Sequence, residues 1–298
     1  MKTIMPSEHT TLQDCLFAMR KNLADAGIET AELDARLLMQ AATGFDHAGL
    51  ILNNNHQLKP SQLSTIENMV QRRINHEPVS RILGEREFYG RRFKVNNDVL
   101  DPRADTETLI DLALSILTGD QYYDQEIDIL DIGTGSGAII ITLLCELPNV
   151  TGWATDISPT ALAVTRENSF ALGVETRLSL LETSWCSGIE QKFDMIVSNP
   201  PYIVSSDIEN LSVDVKAFDP LLALDGGKDG LTAYRQIANQ CAGLLKSGGT
   251  IILEIGFDQA LDVIEIYKAA GFTKNPNAAI ITTDLSGKDR VITMLWDQ

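Results

Sequence analysis

The residues of this sequence best suited to chemistry are Asn199-Pro200-Pro201-Tyr202. They follow the apolar run Phe193-Asp194-Met195-Ile196-Val197-Ser198, which reads as a strand that the proline pair ends. Proline fixes its own φ, lacks an N–H and drives the preceding residue out of the helical region. Asn199 is therefore held extended at the carboxyl end of a strand, where open α/β sheets bind ligands. Its side-chain oxygen and the Pro200 carbonyl are two acceptors at a fixed spacing, enough to hold both hydrogens of one NH2 group. Tyr202 adds an aromatic wall with a polar tip. The four residues read as a clamp for an amide or an amino-purine nitrogen. The plainer reading is a strand-ending turn with a buried tyrosine.

A second constellation lies upstream. Gly133-Thr134-Gly135-Ser136-Gly137 joins a buried strand, Ile127-Asp128-Ile129-Leu130-Asp131-Ile132, to a helix over 138–147. Glycines there let the backbone turn sharply and approach a ligand closely. Asp156 ends the next strand, where a carboxylate can accept both ribose hydroxyls of an adenosine. Gly133, Gly135 and Ala138 also satisfy a dinucleotide fingerprint. Two features favour S-adenosylmethionine over a dinucleotide. The third glycine falls at 137, and the clamp has no task in hydride transfer but suits presenting a nitrogen to a methyl group. Trp185, after the third strand, is placed to stack on adenine or to fill the core.

These residues need elements to position them. From residue 127 strands and helices alternate, which means an α/β fold with a mostly parallel sheet covered on both faces. Helices are expected over 233–245 and 258–270, with a turn at Gly248-Gly249, a strand over 250–255, and late strands near 272–281 and 290–295. Ahead of this, residues 1–78 read as a small helical bundle. Leu12, Cys15, Leu16, Met19 and Leu23 recur at helical spacing after Thr10 or Thr11, and further helices follow Thr30 and Ser61. Residues 79–103 read as a β-hairpin linker turning near Gly90. Residues 104–298 form the cofactor-binding domain, entered by a helix with Asp105 or Thr106 as its cap.

Totals exclude some classes. The 298 residues suffice for two domains, and 44% hydrophobic with 22% charged residues is ordinary for a globular protein. A net charge of −17 argues against non-specific nucleic-acid binding, which needs a basic surface. No apolar run approaches the roughly 18 residues of a membrane span, and the first residues lack the apolar core of a secretory signal. Cys15, Cys145, Cys186 and Cys241 have no paired spacing and are expected as free thiols in a reducing cytoplasm. His9, His47, His56 and His76 have no metal-ligand spacing, and no metal is expected.

The sequence resembles the N5-glutamine methyltransferases that modify peptide chain release factors of the bacterial type. The likeness covers most of the chain. Gly84-Glu85-Arg86-Glu87-Phe88 is similar to that family's linker, and Asp101-Pro102-Arg103-Ala104-Asp105-Thr106-Glu107 to its proline–arginine segment, with Ala104 where many members carry a second proline. Asp131 to Gly137, Asp156 and Trp185 match its cofactor positions, and Asn199 to Tyr202 its substrate clamp. Phe218-Asp219-Pro220 and the run from Ala223 to Leu231 match the loop that follows. The resemblance implies a seven-stranded Rossmann-like sheet with its last strand antiparallel, a helical substrate-docking domain, and S-adenosylmethionine as cofactor. It implies a release factor as protein substrate, modified at the glutamine of its Gly-Gly-Gln tripeptide, in the cytoplasm. Asn199, Pro200 and Tyr202 are then catalytic, Pro201 completes the substrate clamp, and Gly133, Thr134, Gly135, Ser136, Gly137, Asp156, Trp185 and Asn199 bind the cofactor. The alternatives are a glutamine methyltransferase of a ribosomal protein, an adenine-N6 methyltransferase of nucleic acid, and a nucleotide-binding module without catalysis.

Overall fold

The structure is a computed structural model that describes residues 10–119 and 125–298; His9 and the first residues lie outside them. The chain forms two compact units, one of residues 1–84 with Ser212–Phe218, the other of Glu85–Leu211 with Asp219–Gln298.

The first unit is helical: α1 (Leu12–Asp25), α2 (Ala31–Thr43), α3 (His47–Leu52), α4 (Pro60–Ile74) and α5 (Val79–Leu83). Thr11 caps α1 by accepting the Asp14 N–H at 3.2 Å, and Gly44 ends α2 in the left-handed conformation. The stripe Leu12, Cys15, Met19 and Leu23 is buried against Leu38, Met39, Ile66 and Val70. The sequence pattern misses α3, because six residues are too few to show a period. It also misses α5, which precedes the hairpin. Buried Arg73 pairs with Asp34 at 2.7 Å and with Asp214 at 3.0 Å. That second bond anchors Ser212–Phe218 within this unit, although in the chain it follows the clamp.

The second unit opens with the expected hairpin, β1 (Glu85–Phe88) and β2 (Arg91–Lys94), closed by Tyr89 and Gly90. Both turn residues have positive φ, 49° and 70°, the backbone that a two-residue hairpin turn prefers. A 3₁₀ turn at Ala104–Thr106 leads into α6 (Glu107–Leu117). The alternating region then runs β3 (Ile127–Ile132), α7 (Ala138–Glu146), β4 (Val150–Asp156), α8 (Pro159–Ala171), β5 (Leu178–Glu182), β6 (Phe193–Ser198), α9 (Val213–Phe218, in the helical unit), α10 (Thr232–Cys241), β7 (Leu245–Glu254), α11 (Ala260–Ala269), β8 (Thr273–Lys274), β9 (Ile281–Thr283) and β10 (Asp289–Trp296).

Strand order is β5-β4-β3-β6-β7-β10-β8, with β9 also on β10. The strands from β3 to β7 are parallel to their neighbours, and β10 is antiparallel to β7. This is the expected sheet with its antiparallel last strand. Its outer strand is broken into β8 and β9, and Pro276, which has no N–H for the ladder, lies in the gap. Neither Asp105 nor Thr106 caps α6 with its side chain. Gly248-Gly249 is not a turn before a strand. β7 begins at Leu245, α10 stops at Cys241, and the pairing of β7 with β6 slips between Phe193↔Leu245 and Met195↔Thr250. The glycines thus lie in a bulge, which accommodates the extra residues.

Apolar β3 and β6 lie side by side at the centre. Ile129, Leu130 and Ile132 are fully buried, as are Met195, Ile196 and Val197, each such side chain stabilising the fold by roughly 1.5–3 kcal/mol. The chain runs outward from β3 in one direction through β4 and β5, then in the other through β6 and β7. The switch point therefore falls between the carboxyl ends of β3 and β6, where the crevice of such sheets opens.

Candidate active site

In the sheet register Ile132 is paired with Ser198, so Gly133 and Asn199 leave the sheet side by side. The Ser198 hydroxyl donates to the Ile132 carbonyl at 2.7 Å and ties the two strand ends together. Above them is a cavity of about 520 Å³, lined by Gly133, Thr134, Gly135, Ser136, Asp156, Trp185, Asn199, Pro200 and Pro201. The glycine bend and the clamp thus face one space. Arg103, Thr106 and Leu222 also line it.

The bend is held rigidly. Gly133 and Thr134 donate their N–H groups to the Thr155 carbonyl, each at 2.9 Å. From α8, the Thr165 hydroxyl donates to the Gly135 carbonyl at 2.8 Å, and Asn168 Nδ2 to the Ser136 carbonyl at 2.8 Å. Asn168 also accepts the Lys94 N–H and donates to its carbonyl, which fastens the hairpin to the bend. Gly133 and Gly135 have φ of 71° and 57°, and a Cβ on either would meet nothing within 4 Å. They leave a cradle open on the cavity side. Gly137 serves a different end and stands behind the lining. Its Cβ would fall 2.6 Å from Ile141 Cδ1 and 2.8 Å from Thr165 Cγ2, so it permits α7 and α8 to pack.

Asp156 accepts the Gly135 N–H on Oδ2 and the Ser158 N–H on Oδ1, both at 2.9 Å. Each oxygen keeps a second lone pair, and the residue lines the cavity. Trp185 is partly buried, with a φ of 58°, and its indole N–H donates to Gln236 Oε1. A left-handed backbone in a bulky residue is costly, and here it places the ring on the cavity wall. A cradle of backbone, a fixed carboxylate and an aromatic face fit an adenosine-bearing cofactor.

Asn199 Nδ2 donates to the Thr106 hydroxyl at 3.3 Å, which leaves Oδ1 as the amide's unused end. Tyr202 is not on the cavity wall. Its ring packs against the apolar core, and its hydroxyl lies 3.4 Å from Glu254 Oε1. Burial beside Glu254 pushes that hydroxyl above its ordinary range, so it stays protonated. Burial also pushes the Asp131 carboxyl up to about 7, against the Thr134 hydroxyl that donates to it at 2.6 Å.

Three contributors escape a reading of the sequence. Thr106 reads there as a helix cap. Glu254, at the end of β7, falls inside the strand expected over 250–255 and is not singled out there. Gln259 Nε2 donates to the Tyr202 carbonyl at 3.0 Å while its Oε1 accepts the Gly256 N–H, bracing the clamp from behind. Polar residues at or just past the carboxyl end of a central strand are the only sequence signal for the last two. Among the described residues no group of His, Cys, Asp and Glu is arranged to hold a metal, and no helix is long and apolar enough to cross a membrane.

The chain matches the family models PrmC N-terminal domain over residues 14–84 and Methyltransferase small domain over 106–216. A solved methyltransferase from Pyrococcus furiosus has the same fold, with a TM-score of 0.51 and 16% identity over 78% of this chain and 100% of that one. The fold is that of a methyltransferase. The release factor glutamine methyltransferase of Cereibacter sphaeroides is 42% identical over 94% of this chain and 96% of its own length, and that of Bradyrhizobium diazoefficiens 41% over 96% and 95%. The chain belongs to the release factor glutamine methyltransferase family.

Proposed function

We propose that this protein transfers a methyl group from S-adenosylmethionine to the side-chain amide nitrogen of a glutamine in peptide chain release factors, the one in their Gly-Gly-Gln tripeptide. Kinship along nearly the whole chain with proteins of that name supports the substrate class. The observation that carries the chemistry is the Asn199 amide, whose nitrogen is taken by Thr106 so that its oxygen is left to accept beside the glycine bend.

In this reading Gly133, Thr134, Gly135 and Ser136 cradle the cofactor, Asp156 accepts its ribose hydroxyls, and Trp185 lies against its adenine. When bound, S-adenosylmethionine supplies a methyl group on a positively charged sulfur. An amide nitrogen is a poor nucleophile, because its lone pair is delocalised into the carbonyl. The protein's task is then chiefly orientation, which in favourable cases supplies on the order of 7–11 kcal/mol. Asn199 Oδ1 and the Pro200 carbonyl accept the two N–H bonds and aim the nitrogen into the cavity, while Pro201 and Tyr202 keep the turn in place. The same two acceptors stabilise positive charge as it develops on nitrogen. No base is needed before transfer, and the extra proton leaves afterwards. The helical unit docks the protein substrate, and the hairpin Glu85–Lys94 opens the unit that carries the cofactor site. The reaction belongs in the cytoplasm, where release factors act.

Labelled S-adenosylmethionine offered with a release factor, its Gln-to-Ala tripeptide mutant, a ribosomal protein extract and DNA tests this. Label in the intact release factor alone is expected. Label in the mutant, the ribosomal proteins or the DNA refutes it.

A further inference from the structure

Behind the clamp is a polar cluster that the transfer itself does not use. Glu254, 1% exposed, ends β7 beside β6. Tyr202 points its hydroxyl at Oε1, and Tyr234 donates to the Glu254 main-chain carbonyl at 2.9 Å. Glu254 follows Leu253, the register partner of Ser198, just as Asn199 follows Ser198, so the two sit side by side at the strand ends. Thr106, bonded to Asn199, is the neighbour that most favours the ionised form of the carboxyl. Glu254 Oε2, fully buried, completes no hydrogen bond of good geometry. The charged groups facing the site are Arg290 on β10 and Asp105 before α6, and Arg290 is itself held by Asp105 at 3.1 Å and Asp284 at 3.0 Å.

A hydroxyl has one hydrogen to give. Ionised Glu254 can only accept, so the Thr106 hydrogen turns to it and the Thr106 oxygen receives Asn199 Nδ2. The Asn199 oxygen is then the end presented to the cavity. Protonated Glu254 can instead donate to Thr106, whose own hydrogen becomes free to bond Asn199 Oδ1. The amide then turns over and presents NH2 to the incoming NH2, donor against donor. We propose that Glu254 is a positioning residue for methyl transfer, acting through Thr106 to set which end of the Asn199 amide faces the substrate. The inference rests on the amide-methylation reading above. Burial pushes the Glu254 carboxyl up to about 7; Thr106, Arg290 and Tyr202 draw it down, while Asp105 raises it. The switch therefore falls within the range where enzymes are assayed, and turnover rises with pH as Glu254 ionises.

The test is kcat against pH for the full-length wild type, Glu254→Gln, Thr106→Val and Asp131→Asn, with KM for the release factor and cofactor Kd measured alongside. The wild type is expected to show an acid limb near neutrality. Glu254→Gln, whose amide can donate or accept, should lose that limb and about fivefold or more in plateau kcat, the worth of one hydrogen bond. Its KM and Kd should stay within about twofold, well inside that worth. Thr106→Val cuts the same relay and should also lose the limb, so it decides the matter if the glutamine variant does not fold. Asp131→Asn removes the other buried carboxyl that titrates near 7 and, whatever it does to the rate, should keep the limb. A limb that persists in Glu254→Gln and Thr106→Val, one that disappears in Asp131→Asn alone, or an active wild type with none overturns the proposal. A wild type that labels no release factor at any pH refutes the function itself, which is a distinguishable failure.

Discussion

Replacing Asp156 should weaken cofactor binding, and its two backbone partners explain why asparagine should not rescue it. Each carboxylate oxygen already accepts one backbone N–H, from Gly135 and from Ser158, and each has one lone pair left for a ribose hydroxyl. A hydrogen bond to a charged group contributes about 1.5–3 kcal/mol. Two such bonds, offset by water in the vacated space, make a loss of about 3 kcal/mol the reasonable figure for Asp156→Ala, on the order of a hundredfold in Kd. An asparagine side chain at this position would keep one acceptor oxygen, but its NH2 would have to face either the Gly135 or the Ser158 N–H, donor to donor. Asp156→Asn is therefore expected to bind the cofactor no better than Asp156→Ala, contrary to what similarity of shape alone suggests. Titration calorimetry with S-adenosylmethionine or S-adenosylhomocysteine measures both. An alanine variant within about threefold of wild type, less than one such bond is worth, removes Asp156 from the ribose site. An asparagine variant close to wild type shows that the two backbone donors do not fix the carboxylate.

Three further expectations come from the same geometry. Asn199→Ala should lower kcat by about 10²–10³, the usual cost of one preorganised hydrogen-bonding group, with cofactor Kd little changed; single-turnover transfer within about tenfold of wild type defeats the clamp. Gly137→Ala forces a Cβ to φ 80° and against Ile141 and Thr165; it should cost about 2–4 kcal/mol of stability through backbone strain and overpacking, and an unshifted urea midpoint contradicts that. Asp131 has its folded pKa raised from 3.8 to about 7 by burial, so the folded chain keeps a proton that the unfolded chain releases. Its contribution is intact below about pH 4 and is lost as pH rises through about 7. The stability of Asp131→Asn relative to wild type should therefore improve across that window, and a difference in Tm that is flat with pH rules out the raised pKa.

Much of the site is legible in the chain because it is local. A strand, a glycine bend and a helix are contiguous at 127–146, and the prolines after Asn199 state their backbone constraint outright. Parallel strands also have to return to the same edge, so the carboxyl ends of β3 and β6 meet whatever the side chains are. What stays hidden is non-local. Nothing near Thr106 says that its hydroxyl serves Asn199 instead of its own helix, and nothing near Glu254 says that Tyr202 points at it. Tyr202 shows the limit well: its residue type is right for an aromatic wall, but the turn after Pro201 sends the ring into the core, where it supports the clamp without lining the cavity. Gly248-Gly249 shows another limit, since a glycine pair marks a bulge and a turn with the same two letters.

The glycine bend and the clamp are held in different ways, and the difference bears on where binding energy goes. The bend has its carbonyls and N–H groups tied by the protein's own Thr155, Asp156, Thr165 and Asn168. Little ordering is left to be done when a cofactor arrives, so more of the contact energy appears as affinity. The clamp depends on one amide bonded at 3.3 Å to a hydroxyl that itself has a choice of partners. A carboxamide turned over loses nothing in shape but reverses the polarity it offers. Cofactor binding should accordingly be insensitive to the groups behind the clamp, while turnover depends on them. With the proposed transfer to a weakly nucleophilic amide nitrogen, the same division would place control of the reaction on the protein-substrate side of the cavity.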